Sequence, residues 1–277
     1  MLFLQSHHIT DLYCAIDDLV PKVSTSLHGG RPAILSNSEL LTILVWNAMV
    51  LRQKTIKDLY QAVRIYHSHD FPKLPKYRGF VSHCHRLIPI CLNLLDDVLS
   101  DQEPIRIMDS TMLPVCKPHR VDSHKVARNI AAFGKNYQGW HYGFKLHASI
   151  DFQGSLCGVA LTPANIYDAQ AMIKILNQYT KVAVGDTLYG ASVMGRIIRE
   201  RYDTIIVAPP HPKQKKKIMT VWQYFLLRSR SKIESVFDYL KEHMNLVSSF
   251  PRSVAGYLFH YLRILLSYQM MNFLARA

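Results

Sequence analysis

Apolar positions in the first hundred residues recur at helical spacing. Ser36-Asn-Ser-Glu39 has the form of a capping box, in which the serine caps a helix and the glutamate reaches back. The helix it opens carries Leu40, Leu41, Leu44, Val45, Ala48 and Met49 on its apolar positions. Thr55-Ile-Lys-Asp58 starts another, leading into Leu59, Tyr60 and Val63. Residues 71–80 interrupt the pattern with Pro72, Pro75 and Gly79, and a third helical stretch runs from Val81 to Leu99. Residues 1–100 therefore read as a helical module.

After Pro104 the period changes. Ile105-Arg-Ile-Met-Asp109 is apolar and β-branched, and 139–151 alternates aromatic and polar positions. Residues 154–164 follow after the polar turn Asp151–Gly154, which predicts an antiparallel meander. A helix over Ile166–Gln178, the strand Lys181–Asp186, a helix over Ala191–Arg201 and the strand Thr204–Pro209 continue the chain. The order β-β-β-α-β-α-β-α predicts an α/β fold, a mixed sheet flanked by helices, over residues 101–277. From Leu227 to His243 the pattern is helical, with Ile233, Val236, Phe237 and Leu240 as a buried stripe. At roughly 100° per residue, Arg230, Glu234 and Lys241 lie within about 40° of one another on a neighbouring stripe.

Residues 254–277 are long and apolar enough to raise the question of a membrane span. Arg263 at the centre would cost about 2.5–3.5 kcal/mol there, and His260, Gln269 and Asn272 add polarity. A packing helix over the sheet or a second protomer, with Arg263 facing a partner or solvent, is the expectation. The first residues lack the basic start of a secretory leader.

Composition changes the picture in one respect. The chain of 277 residues is 49% hydrophobic and 10% aromatic, enough for a large core, but its 33 basic against 20 acidic residues leave a net charge of +13. Such an excess points to a polyanionic partner, nucleic acid before a membrane surface. The basic residues among the N-terminal helices suit either a DNA-binding module or a solvated face. Five scattered cysteines exclude a disulfide framework and fit a reducing, cytoplasmic setting. His83-Cys84-His85 has no second ligand pair, so zinc is not expected there.

The candidate chemistry rests on three acids. Asp109 and Asp186 each close an apolar strand, and Glu234 lies beside a stripe that must face the core. Each has a bland reading: strand-end turn formers for the aspartates, and an i,i+4 ion pair with Arg230 for the glutamate. Gathered together, three carboxylates repel, and a divalent cation relieves that repulsion. Mg²⁺ takes hard oxygen ligands and pairs with phosphate oxygens, which suits phosphodiester chemistry on a polyanion.

These residues carry a resemblance. Asp109 in Met-Asp-Ser-Thr, Asp186 in Gly-Asp-Thr-Leu-Tyr-Gly and Glu234 in its helix resemble the DDE triad of bacterial insertion-sequence transposases, whose core is RNase H-like. Residues 143–168 are similar to that family's middle strands. Arg230, Glu234 and Lys241 match its Y-x2-R-x3-E-x6-K signature, with Leu227 in the tyrosine's place. The resemblance implies an enzyme that binds terminal inverted repeats as a dimer on DNA, cuts to free a 3′-hydroxyl and directs it at target DNA. It further implies that Asp109 and Asp186 share a metal, Mg²⁺ with Mn²⁺ able to substitute. Glu234 would complete a second ion, and Arg230 and Lys241 would hold phosphates. Lys213, Lys215, Lys216 and Lys217, followed by Trp222 and Tyr224, would either track DNA backbone or form a solvated loop. Asp168 reads as a first-turn acid of a helix capped by Asn165, and Asp122 and Asp151 as turn acids. His141 and His147 share a strand face and could line the metals' side. An RNase H-like nuclease and a non-enzymatic helical DNA-binding repressor are the alternatives.

Overall fold

The computed structural model describes residues 8–20, 34–190, 192–210 and 218–276. The chain divides into two units: Met1–Val98 with His243–Leu246 and Phe250–Ala277, and Leu99–Glu242 with Val247–Ser249. Among the described residues, the first unit opens with α1 (Ile9–Leu19), α2 (Asn37–Trp46), α3 (Ile56–Tyr66), α4 (Tyr77–Arg86) and α5 (Ile88–Val98). Ser36 Oγ accepts from the Glu39 amide at 3.0 Å, and the Glu39 carboxylate accepts from the Ser36 amide at 2.6 Å, so the capping box is formed. Thr55 caps α3 through the Asp58 amide at 3.1 Å. The helix expected over 81–99 is two helices that meet at Leu87–Ile88. Pro89 explains the break, since it has no N–H to continue the ladder and is tolerated only in a first turn.

In the second unit the chain runs β1 (Ile105–Cys116), β2 (Ala132–Asn136), β3 (Gly139–Ile150), β4 (Leu156–Pro163), α6 (Asp168–Ile175), β5 (Val182–Val184), α7 (Thr187–Gly190), α8 (Val193–Tyr202), β6 (Ile205–Val207), α9 (Val221–Arg228) and α10 (Ser231–Asp238). β1 is antiparallel to β3, with Asp109 opposite Ala148, and β3 is antiparallel to β4. On its other edge β1 pairs parallel with β5, Ile107 opposite Val184, and β5 pairs parallel with β6. The order β4-β3-β1-β5-β6, three antiparallel strands continued by a parallel pair, is that of an RNase H-like sheet. β2, absent from the expected pattern, adds a hairpin to β3. The Asp151 turn forms as its sequence requires: its carboxylate accepts from the amides of Gln153 at 2.8 Å and Ser155 at 2.9 Å, and Gly154 supplies a φ of 92°.

Met108, Met172, Ile175, Leu176, Ala183, Tyr189 and Ile198 form the core between β1, β5 and their helices. Arg106 is buried among them at 1% exposure. Its guanidinium donates to the carbonyls of Glu103, Cys157, Ile175 and Asp101 and to Asn177 Oδ1, joining the turn before β1 to the start of β4 and the end of α6.

The stretch 227–243 is not one helix. α9 ends at Arg228, α10 begins at Ser231, and a π-helical turn, Tyr239–His243, follows. Ser229 Oγ donates to the Leu226 carbonyl at 2.6 Å and Ser231 Oγ to the Arg228 carbonyl at 3.3 Å. Serine hydroxyls that bond the preceding turn in this way compete with the helical ladder.

The C-terminal helix α11 (Val254–Leu274) belongs to the first unit and packs on α2, α4 and α5. Apolar on every side, it is buried on every side from Phe259 to Met270, and its polar residues there find helical partners: Gln269 donates to the Val98 carbonyl at 2.7 Å and Ser267 to that of Leu44 at 3.4 Å. Arg263 does not face solvent but lies inside this unit, 5% exposed. Among the described residues no helix is long and apolar enough to cross a membrane.

Candidate active site

Parallel pairing decides the position of the two aspartates. Ile107 lies opposite Val184, so two residues further on Asp109 and Asp186 come level. Asp109 is not at a strand tip, because β1 runs on to Cys116 against β3; what ends there is β5. The acid therefore stands where the sheet loses a strand, with one edge of β1 open beside it. The Asp109 carboxylate accepts from the Ser110 amide at 2.8 Å, and that of Asp186 from the Leu188 amide at 2.9 Å, which fixes both rotamers.

α10 lies against β1 through the expected stripe: Ile233, Val236, Phe237 and Leu240 are all buried. Arg230 consequently points its Nη2 at Asp109 Oδ2, 3.6 Å away, and at Glu234 Oε1, 4.0 Å away. The Glu234 side chain is 62% exposed. Burial pushes the Asp109 carboxyl up to about 6; its amide bond and Arg230 oppose the shift, while Asp186 and Asp168 reinforce it. Lys241 lies in the π-helical turn, half-buried, and its pKa is lowered by burial against the pull of Asp238 and Glu242. The structure brings Lys241 into no ion pair with Asp109 or Glu234. Lys213, Lys215, Lys216 and Lys217 lie outside the described residues.

Asp168 has a larger part than its sequence suggested. It does open α6, but the N-cap is Tyr167 without a side-chain bond, so Asn165 is not the cap. Its Oδ1 instead accepts from Ser110 Oγ at 2.7 Å and Lys145 Nζ at 3.0 Å. Through Ser110 it steadies the residue next to Asp109, and Lys145 compensates its charge. His147 is buried behind this pair, with Nε2 2.9 Å from Thr162 Oγ1. Burial lowers its pKa to about 4, so the ring is neutral at neutral pH and holds position rather than charge. His141 bonds Asn136 at 2.9 Å and is not part of the cluster. The one sequence signal for this network was polar Lys145 and His147 at alternate positions of an otherwise apolar strand.

Among the described residues no three carboxylate, histidine or cysteine side chains already converge on one point as a set of metal ligands. The donors nevertheless fit a hard divalent cation. All are carboxylate oxygens, and the guanidinium of Arg230 already places positive charge between Asp109 and Glu234, with its buried Nε unpartnered. Asp109 and Asp186 would form one side of such a site and Glu234 the other.

The raised Asp109 carboxyl ties stability to pH. A free aspartate carboxyl titrates near 3.8, and that of Asp109 near 6. The folded chain holds this proton more tightly, so stability falls as pH rises from about 4 to about 6, and the cost is complete above that. Without divalent cation, Asp109→Asn is expected to melt higher than the parent at pH 7, by at most about 3 kcal/mol of stability. The gap should close toward pH 4, and paired melts across that range check it.

A family described as "Transposase DDE domain" matches residues 99–254, more than half of the chain. The match spans β1 through α10 and contains Asp109, Asp186 and Glu234. No curated protein and no solved structure matches.

Proposed function

The chain belongs to the family of DDE transposases, enzymes of DNA transposition that depend on divalent metal, and from that premise we propose that it cuts the ends of an insertion sequence and joins them to target DNA. The observation that carries this reading is the β1–β5 pairing, which sets Asp109 level with Asp186 inside the matched region. In this reading Asp109, Asp186 and Glu234 hold Mg²⁺, for which Mn²⁺ substitutes. When bound, the ions polarise the scissile phosphate and stabilise the charge on the attacking and departing oxygens.

The chain's own residues do the rest. Asp168 and Ser110 hold the β1 acid in place, and Arg230 is released from Asp109 to take a phosphate oxygen. In the first step water attacks phosphorus, the bond to the 3′-oxygen breaks, and the proton lost by water balances the one gained by the new 3′-hydroxyl. In the second, that hydroxyl attacks a target phosphate and displaces a target 3′-oxygen, so one phosphodiester forms as another breaks. Lys241, in the π-helical turn after α10, serves the DNA backbone further along, and a homodimer holds two terminal inverted repeats. The helical unit supplies further DNA contacts.

A labelled duplex carrying one element end, incubated with Mg²⁺ and a plasmid target, tests the proposal. Joined products support it. Cleavage with no joining would instead assign a nuclease, and DNA binding without either reaction a repressor. The lysine run gives a separate expectation. Replacing Lys213, Lys215, Lys216 and Lys217 with alanine should flatten the dependence of log affinity on log salt by about 0.9 for each phosphate these lysines neutralise. Fluorescence anisotropy at several salt concentrations measures it, and an unchanged slope would remove these lysines from the interface.

A further inference from the structure

Between β1 and β3 the sheet unit carries an excursion, residues 117–138, that the proposed chemistry does not use. It holds the cations Lys117, Arg120, Lys125, Arg128 and Lys135 against a single acid, Asp122. All five cations are exposed, and among the described residues none is ion-paired with a carboxylate. The excursion ends in the hairpin of β2 with β3, where Phe133 lies opposite Tyr142 and Lys135 opposite Trp140. Opposed residues of a hairpin share a face, and so do residues two apart on one strand. Phe133, Lys135, Trp140 and Tyr142 therefore stand on one face. The Phe133 ring centre is 5.0 Å from that of Tyr142 and 6.4 Å from that of Trp140, and Lys135 Nζ is 5.7 Å from the centre of the Trp140 ring.

The hairpin presents this face outward. Behind it Gly134 is buried so close to the chain after β4 that a Cβ there would fall 2.3 Å from the Ala164 carbonyl oxygen. In front, Phe133 is exposed, Trp140 is 58% exposed, and Tyr137 at the tip is 93% exposed. The tip is braced: Asn136 Oδ1 accepts from the Gln138 amide at 2.9 Å and lies 2.9 Å from His141 Nε2, and Gly139 supplies a φ of 115°. A single exposed ring is ordinary on a protein surface. Three on one braced hairpin, among cations and almost no acids, have no packing role and mark a contact surface.

We propose that the β2–β3 hairpin binds unpaired DNA, with Tyr137 and Trp140 stacking on bases and Lys135 and the neighbouring cations meeting backbone phosphates. The chemistry of the surface selects that partner. Cations alone would suit the phosphates of a duplex, but paired bases stack on one another and offer a ring no free face. An unpaired strand offers a π-face and a phosphate at every nucleotide, which matches rings interleaved with cations. Gly139 and Ala148, the partner of Asp109, are nine residues apart on β3, so at about 3.3 Å per residue the tip lies roughly 30 Å from the acids. The hairpin is thus a binding surface apart from the reacting phosphate, and it does not depend on the cut-and-join chemistry proposed there.

Fluorescence anisotropy of the full-length chain with a labelled oligothymidylate of about 15 nucleotides tests it, alongside a labelled duplex of equal length. The parent should bind the oligothymidylate, and Trp140→Ala and Tyr137→Ala should each weaken that binding by about tenfold while duplex affinity stays near the parental value. Trp140→Phe, which keeps a ring, should retain most of the affinity. Lys135→Ala should flatten the dependence of log affinity on log salt by about 0.7, the value for one phosphate of a single strand. Melting curves confirm that each variant is folded. Ring variants that hold the oligothymidylate as tightly as the parent, or lose both DNAs equally, would overturn the proposal. If the face instead serves a second copy of this chain, the parent will self-associate without DNA, Trp140→Ala will not, and oligothymidylate binding will be unchanged; that result overturns it too. Failure of the parent to join element ends would count against the transposase chemistry alone, because oligothymidylate binding needs no reaction.

Discussion

Asp186→Asn is expected to lower strand cleavage on element-end DNA by about a thousandfold or more while leaving the fold intact. That factor corresponds to a transition-state stabilisation by the cation of about 4 kcal/mol, at 1.36 kcal/mol per tenfold in rate. Asparagine keeps the size of the side chain and the oxygen that accepts the Leu188 amide, so the loop after β5 retains its anchor. What is lost is one negative charge beside Asp109. Fewer like charges in the cluster should leave the melting temperature level or raised. A turn-forming aspartate would behave in the opposite way, losing about 0.5–2 kcal/mol of stability with the chemistry untouched. Cleavage rate and melting temperature, read on the same preparation, separate the two.

Arg106→Ala is expected to unfold the sheet unit. Five acceptors converge on one guanidinium, and Arg106 is 1% exposed. Burial lowers its pKa, against the pull of Cys157, Asp101 and Glu103, and its carbonyl partners are what make a buried cation tolerable. Truncation leaves buried carbonyls unpaired at about 1–3 kcal/mol each and opens a cavity where a long side chain stood. A loss of about 5 kcal/mol approaches the whole stability of a typical domain. The variant should therefore melt early or accumulate as aggregate, and a near-parental denaturation midpoint would show that these bonds contribute little.

The arrangement of the candidate acids was written in short-range patterns. Two apolar runs ending in acids become level because β1 and β5 pair in parallel, and the 3.6-residue period of Ile233, Val236, Phe237 and Leu240 turns Arg230 toward Asp109 with Glu234 beside it. Features that depend on distant partners were not visible. Asp168 resembled any first-turn acid, because Ser110 and Lys145, which bond it, lie 58 and 23 residues away. β2 is five residues long and contains Gly134, where a Cβ would fall 2.3 Å from the Ala164 carbonyl oxygen. Its glycine marks a close approach that looks like loop composition. The environment of α11 was likewise undetermined, since a helix apolar on all faces says that it is buried but not by what. The break after Arg228 arose from serine hydroxyls bonding the preceding turn, a competition that hydrophobic periodicity does not register.

Glu234 is the exposed member of the proposed triad, and the ion-pair contact that links it to Asp109 runs through Arg230. The central claim, that all three acids serve one metal-dependent reaction, is therefore tested most directly by Glu234→Gln. The measurement is joining of labelled element-end DNA to a plasmid target in Mg²⁺, with the parent chain alongside and a melting curve for each. Joined product is expected from the parent and none from Glu234→Gln, at an unchanged melting temperature. Joining by Glu234→Gln near the parental rate would contradict the claim.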